Sequence, residues 1–229
     1  IAAIEAWKEK NDYLNYGTRL SREAFYDDKG QFGGFSALMC DYFSELFGID
    51  FQLDAYEGDA LISGLADNHI HLTGELTPSE EHLATYYMTD AIVERNVKMY
   101  YISHNSVLIN INTQRPLRYA FLSGTNTRAL VALSANEIFE ASFVEDYESV
   151  LALLRQGKID AFLDDGSAQA FMDDYPSIAM SDYYPLIYSP VSIATQTEAL
   201  APMLSVIQKF LEAGGNSFLI KLYNEGEQD

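Results

Sequence analysis

The chain has few basic residues, one cysteine and no long apolar runs. Its 229 residues include 14 Lys or Arg against 34 Asp or Glu, which gives a formal net charge of −20. A surface of that charge repels nucleic acid and anionic membranes, so neither is an expected partner. Cys40 is the single cysteine and lies in an apolar run, so we expect a buried small side chain and no disulfide within the chain. No apolar run reaches about 18 residues, so no membrane-spanning helix is predicted.

Chemical motifs of enzymes and metal proteins are also missing. No phosphate loop and no Ser-His-Asp or Cys-His set can be argued, so we expect no catalysis. His69 and His71 alternate along a predicted strand and could face one way, as a zinc pair would. No third ligand with metal spacing stands out nearby. We therefore expect a structural pair, no bound metal and no cofactor.

The first residue, Ile1, is not a methionine, and no signal-peptide pattern follows it. We expect from this a processed protein or an excised domain, from which flanking targeting or membrane segments have been removed.

The apolar pattern of the first half predicts alternating strands and helices. Hydrophobic residues make up 48% of the chain, enough for a packed core. From Phe35 to Leu46 they recur every three or four residues, which predicts one helical face that ends at Gly48. Strands are predicted at 13–18, 49–53 and 70–73, with a second helix at 60–66. A β-α-β-α-β order of this kind predicts parallel strands.

The second half repeats the α/β alternation without repeating the sequence, so we predict the α/β class for the whole chain. The polar stretch 104–115 is the predicted crossing between two lobes. The other predicted elements are strands at 97–103, 117–122, 143, 159–163 and 190–195 and helices at 149–154, 166–173, 200–213 and 217–224.

Five short motifs follow one another in a distinctive order. They are Gly30-Gln31-Phe32-Gly33-Gly34-Phe35; Leu61-Ile62-Ser63-Gly64-Leu65; Thr77-Pro78 with Met88-Thr89-Asp90; Ser123-Gly124-Thr125; and Gly157-Lys158-Ile159-Asp160-Ala161 with Asp165. In this order and spacing they resemble the bacterial extracellular solute-binding proteins of family 3, over residues 13–223. The resemblance implies the two-lobed type 2 periplasmic-binding-protein fold, with a hinge and an interlobe cleft. It implies lobe 1 at 1–102 plus 190–229 and lobe 2 at 103–189.

Two further segments, 86–95 and 115–119, resemble sensor versions of this fold attached to histidine kinases and diguanylate cyclases. The resemblance implies an extracytoplasmic small-molecule-binding sensor domain, periplasmic or on the cell surface and tethered to the membrane in the full-length protein. Such a domain closes on its ligand and signals to a membrane-attached output. One alternative is the solute-binding subunit of an ABC amino-acid uptake transporter, with a permease as partner. Another is an enzyme similar to the cyclohexadienyl dehydratases.

The same resemblance implies the ligand contacts. Glu75 and Thr77 match positions that contact the ligand backbone, and Asp165 matches an acid that accepts the ligand ammonium. Asp164 beside it is expected on the opposite face, in solvent. Phe25 and Tyr26 resemble an aromatic wall of the ligand site, or are core residues. Thr125, Asn126 and Thr127 begin a helix whose N–H groups can hold an anion, or form an ordinary N-cap. Arg22, in the loop opposite, is the residue that could supply the positive charge elsewhere.

His82 takes the place where amino-acid-binding members of this family carry an arginine for the ligand carboxylate, when the alignment is counted back from Thr89-Asp90. Counted forward from Thr77-Pro78, the residue is Glu80. His82 is either a sign of altered ligand choice or a surface histidine on a helix turn. With Glu75 and Asp165 both anionic, we expect an amine-bearing or neutral ligand, or an amino acid held by Arg22.

Overall fold

Two compact α/β units make up the chain. This computed structural model describes residues 2–57, 59–103, 114–135 and 138–226, with Ala170 described by its backbone alone. One unit, called unit 1, comprises Ile1–Glu94 and Pro190–Asp229, and unit 2 comprises Arg95–Ser189. Most of the predicted crossing at 104–115 lies outside the described residues. The lobe ranges expected from the sequence stay a prediction.

The elements of the first half alternate as the sequence predicted. In chain order they are α1 (Ala2–Lys8), β1 (Tyr13–Thr18), β2 (Phe25–Tyr26), β3 (Phe32–Gly33), α2 (Phe35–Phe47), β4 (Asp50–Ala55), α3 (Ala60–Ala66), β5 (Leu72–Leu76), α4 (Glu80–Thr85) and β6 (Tyr87–Asn96).

The second half continues the alternation and ends in helices. Its elements are β7 (Lys98–Ile102), β8 (Leu117–Leu122), α5 (Thr127–Ser134), β9 (Phe139–Val144), α6 (Tyr147–Arg155), β10 (Ala161–Asp164), α7 (Gln169–Met172), β11 (Ile178–Asp182), β12 (Tyr188–Thr195), a 3₁₀ turn (Glu198–Leu200), α8 (Ala201–Phe210), a π segment (Leu211–Gly215) and α9 (Asn216–Gly226).

The sheet of unit 1 has the order β4-β1-β5-β12-β6. β1 runs parallel to β4 and to β5, which confirms the parallel arrangement predicted from the alternating pattern, while β12 runs antiparallel to β5. The apolar face of α2 supplies Met39, Cys40 and Phe43 to the core, each at most 2% exposed. Cys40 is therefore the buried small side chain that the sequence predicted.

Gly34 determines where α2 begins. Its backbone angles are φ 91° and ψ −179°, a region that glycine alone enters readily. A Cβ added there would lie 2.6 Å from the carbonyl oxygen of Glu23. Glycine is thus required at position 34 of the Gly30–Phe35 motif, because the backbone of Glu23 lies too close for a side chain.

Unit 2 is built on a sheet of order β11-β7-β10-β8-β9. β8 is parallel to β9 and to β10, and β7 is antiparallel to β10 and to β11. Val150, Leu151 and Leu154 from α6 pack with Tyr100 and Phe162 from the sheet. This unit therefore has a core of its own.

Several elements differ from the sequence prediction, among them β11, which the prediction omitted. The loop predicted at 19–31 includes β2, which pairs with β3 as a short antiparallel hairpin. β6 is a ten-residue strand that the prediction omitted, because its buried positions Thr89, Ile92 and Arg95 do not form an apolar run. The helix predicted at 166–173 contracts to α7, because the residues before it form a hydrogen-bonded turn at the end of β10.

Candidate ligand-binding residues

In unit 1, polar side chains gather where the parallel strands β1 and β5 end. The carboxyl ends of neighbouring parallel strands lie at one edge of a sheet, where open α/β sheets bind ligands. Glu75 is half-buried near the end of β5, and its Oε1 accepts a hydrogen bond of 2.9 Å from the Thr18 hydroxyl at the end of β1. Glu75 is thus positioned by the neighbouring strand rather than loose in solvent.

His82 and Thr77 are brought together by a helix cap. Ser79 begins α4 and accepts a hydrogen bond from the His82 amide, and His82 Nδ1 lies 2.7 Å from the carbonyl oxygen of Thr77. A carbonyl oxygen only accepts, so Nδ1 carries the proton in this contact. The Nδ1–H of His82 is therefore used by the fold and is not offered to a ligand. The alternative residue at this position, Glu80, is exposed in the first turn of α4.

The predicted aromatic wall and basic residue lie on or just before the β2–β3 hairpin. Phe25 is half-buried, with its ring against the backbone of Gly33 and Gly34. Tyr26 is 51% exposed, and its ring centroid lies 4.3 Å from that of Phe32. Of this aromatic pair, Tyr26 thus has more surface to offer a ligand. Arg22 is exposed and is already engaged in an interaction.

Arg95 in unit 2 is a partner of Asp165 that the sequence reasoning missed. Its Nη1 lies 3.4 Å from Oδ2 of Asp165, with side chains 7% and 18% exposed. Asp165 Oδ1 also accepts a 3.2 Å hydrogen bond from the Ser167 amide. The charge of Asp165 is therefore compensated within its own unit. Arg95 gave no local signal, since it belongs to a strand that the pattern did not reveal.

Asp164 was expected in solvent, and this prediction was wrong. Asp164 is 1% exposed. Its Oδ2 accepts hydrogen bonds from the amides of Gly166 and Ala168, at 3.1 and 2.8 Å, and from the Ser167 hydroxyl at 3.1 Å. Because β10 ends at Asp164 and the chain turns back over it, the carboxylate caps the turn. Strand alternation does not extend to a residue at which the strand ends.

The predicted helix start at 125–127 is present in unit 2. α5 begins at Thr127 after Asn126, whose side chain makes no capping bond. Thr125 donates its hydroxyl to the Leu122 carbonyl at 2.8 Å, and Thr127 is 3% exposed. Asn126 is half-buried, and its side chain does not cap the helix. Of the three residues, it is therefore the one whose side chain could contact a ligand.

His71 is part of the fold of unit 1. Its Nδ1 accepts a 2.8 Å hydrogen bond from the Asn15 amide, and its ring meets the edge of Trp7 at 5.4 Å. Burial and, to a smaller extent, the nearby His69 lower the pKa of His71, which favours the neutral ring. Within the described ranges, no three His, Cys, Asp or Glu side chains are grouped as metal ligands. Burial also raises the pKa of Cys40, so its thiol stays protonated.

The fold of these two units is the two-lobed α/β fold of type 2 periplasmic binding proteins, as the sequence predicted. The periplasmic VFT2 domain of BvgS from Bordetella pertussis matches with a TM-score of 0.78 and 15% identity, over 99% of this chain and 98% of that one. No family model and no curated protein sequence matches the chain.

Two other solved structures illustrate how widely this fold is used. The amino acid ABC transporter substrate-binding protein AbpA from Streptococcus pneumoniae, bound to L-arginine, matches with a TM-score of 0.71 and 15% identity over 98% of both chains. The ancestral amino acid-binding protein AncCDT-1, a precursor of cyclohexadienyl dehydratase, matches with a TM-score of 0.71 and 17% identity over 99% of both chains. In the described part of this chain, no helix is long and apolar enough to cross a bilayer.

Proposed function

We propose that this chain is an extracytoplasmic sensor domain that closes on a small-molecule ligand and signals this closure to a membrane-attached output. The observation that carries the proposal is the end-to-end match to the periplasmic VFT2 domain of BvgS. The second support is local: Glu75 and Thr77 come at the carboxyl end of β5, which runs parallel to β1, and His82 contacts the Thr77 carbonyl. Open α/β sheets take ligands at such strand ends.

Ligand binding is tested first on the chain itself. A thermal-shift screen with the common amino acids and simple amines should raise the melting temperature for at least one compound, because binding to the native state adds RT ln(1 + [L]/Kd) to its stability. Calorimetry then measures Kd for the compounds that respond. No response at millimolar concentrations, over pH 5 to 8, would contradict a role in binding amino acids or amines.

The second candidate is the solute-capturing subunit of an uptake transporter. The match to AbpA, described as a transporter substrate-binding protein, favours it. The two roles differ in what the protein contacts. A full-length product with its own transmembrane helix and signalling domain supports the sensor, while ligand-dependent stimulation of a permease ATPase supports the transporter subunit.

An enzymatic role is the least supported candidate. It draws on the match to AncCDT-1, a precursor of a dehydratase. Two side chains that could take part in catalysis are used by the fold. His82 Nδ1 donates to the Thr77 carbonyl, and Cys40 is buried in the core. Incubation of the chain with prephenate, followed by chromatography, tests it directly, and product formation that scales with protein concentration would replace the binding role.

A further inference from the structure

Arg19 lies at the end of the unit 1 sheet that also holds Glu75. It follows directly after β1, and its Nε is buried with no hydrogen-bond partner among the described residues. Its side chain enters no salt bridge within those residues either. A guanidinium stays charged at every physiological pH, so burial cannot be relieved by loss of a proton.

A buried donor left without a partner is costly, and native proteins rarely keep one unless something else satisfies it. The neighbouring carboxylate does not serve. β1 and β5 run parallel, with Gly17 paired to Thr73, so Arg19 and Glu75 come after this pair at the same end of the sheet. Glu75 instead accepts from the Thr18 hydroxyl at 2.9 Å. Among the described residues, no salt bridge joins the Arg19 guanidinium to Glu75.

We propose that Arg19 binds the carboxylate of a small-molecule ligand, an inference that rests on the proposed ligand-binding role. Three observations support it. The Nδ1–H of His82 is taken up by the Thr77 carbonyl, so this donor is not offered to a ligand. Arg22 is already engaged. The planar guanidinium of Arg19 has the fork geometry that a carboxylate fills with two hydrogen bonds.

The ligand class follows from the charges at this edge. Arg19 takes the anionic group, and the half-buried carboxylate of Glu75 adds negative charge at the same end of the sheet, which favours a cationic group on the same molecule. A zwitterion such as an α-amino acid satisfies both, whereas a simple amine leaves Arg19 without a partner. Carboxylate-bearing ligands should therefore bind better than their decarboxylated or amidated counterparts.

Nitrogen-15 NMR of the arginine Nε–H groups tests the inference without knowledge of the natural ligand. The Arg19 resonance is assigned by its loss in Arg19→Gln. Titration with sodium acetate should shift it saturably, and ethylammonium chloride at the same ionic strength should not. Arg155→Gln makes the same charge change at an exposed guanidinium that lies over Tyr175, 5.4 Å from the ring centroid, and should leave the acetate response unchanged.

Calorimetry with L-arginine, L-glutamine and their α-amides separates this inference from the proposed function. If an amino acid binds, we expect Arg19→Gln to weaken it at least tenfold, Arg19→Lys to weaken it less, and the α-amide to lose the same factor in the wild type. Equal affinity in wild type and Arg19→Gln overturns the inference and leaves the binding role standing.

If no amino acid binds, the NMR titration decides alone. A saturable acetate shift at Arg19 supports a carboxylate site even though the proposed ligands have failed. An Arg19 resonance that ignores acetate overturns the inference.

Discussion

Asp164 and Asp165 are adjacent in sequence but have different partners at the end of β10. Asp164 is buried and accepts hydrogen bonds from the turn that follows it, while Asp165 lies beside the Arg95 guanidinium. Two acids in a row therefore have separate tasks, one in folding and one in compensating a buried arginine.

We expect Asp164→Ala to lower the free energy of unfolding by at least about 1–3 kcal/mol, because buried donors of Gly166, Ser167 and Ala168 lose their acceptor. Urea denaturation measures this. Asp173→Ala, at an exposed acid after α7, is the matched control and should change stability by less than about 0.5 kcal/mol. Equal effects of the two substitutions would refute the capping role of Asp164.

Asp160 provides a second residue-scale prediction. Burial raises its pKa, but hydrogen bonds from Arg115 and Arg118 outweigh that effect, and the pKa lies well below its ordinary value. A lowered folded-state pKa means that the stabilisation is complete above the unfolded-state value of about 3.9 and is lost as the pH falls through the folded-state pKa.

Asp160→Asn should therefore cost about 1–3 kcal/mol at pH 7, less than for a fully buried pair because both arginines are partly exposed. The difference from wild type should shrink below about pH 4. Unfolding curves in urea between pH 3 and 7 measure both values. A difference that stays constant over this range contradicts the assigned charge pairing.

His71 is a base, whereas Asp160 is an acid, but it too should make the protein less stable as the pH falls. Its pKa is lowered, so the neutral ring stabilises the fold above the unfolded-state pKa of about 6.5, and this stability is lost as the pH falls. We expect His71→Leu to be less stable than wild type at pH 8, since the Asn15 amide loses its acceptor, with a smaller deficit at pH 5. His69→Asn, at an exposed ring, serves as the control for thermal melts at the two pH values.

At the scale of elements, glycine at a helix start is as important as apolar periodicity. α2 is predicted by its apolar face, yet its entry depends on Gly34, whose positive φ lets the chain pass the backbone of Glu23.

Gly34→Ala should destabilise unit 1 by about 1–3 kcal/mol, because it combines an unfavourable φ with a Cβ that would lie 2.6 Å from a backbone oxygen. Gly30→Ala is the informative comparison. Gly30 also has a positive φ, but an added Cβ meets nothing within 4 Å, so only the conformational cost remains. Denaturation midpoints that fail to separate the two variants would count against the close approach at Glu23.

β6 and the β2–β3 hairpin show where pattern reading fails for elements. The buried residues of β6 come at every third position, Thr89, Ile92 and Arg95, and two of the three are polar or charged, so no apolar alternation appears in the sequence. Thr89 is buried because its hydroxyl accepts from the Ile193 amide of β12, a partner more than a hundred residues away. Long-range pairing of this kind has no local signal.

For the whole molecule, the formal charge of −20 governs the response to salt. Repulsion among the acids destabilises the compact state, and salt screens it. Raising sodium chloride from 10 to 500 mM should therefore raise the melting temperature, by about 2–4 °C for each kcal/mol of repulsion removed. Tetramethylammonium chloride should act equally well. A melting temperature that falls with salt, or responds to one cation alone, would contradict a general screening effect.

The sequence by itself determined the α/β class, the parallel β1, β4 and β5, the helices α2 and α6, and the burial of Cys40, because local periodicity and glycine placement encode these features. The tertiary structure decided the roles of Arg95, Asp164 and His82, since each depends on a partner or a turn that no spacing rule specifies. Arg19 belongs to the second group. Its importance lies in a buried Nε that has no hydrogen-bond partner in the described part of the chain, and burial is a property of the packed chain rather than of the residue.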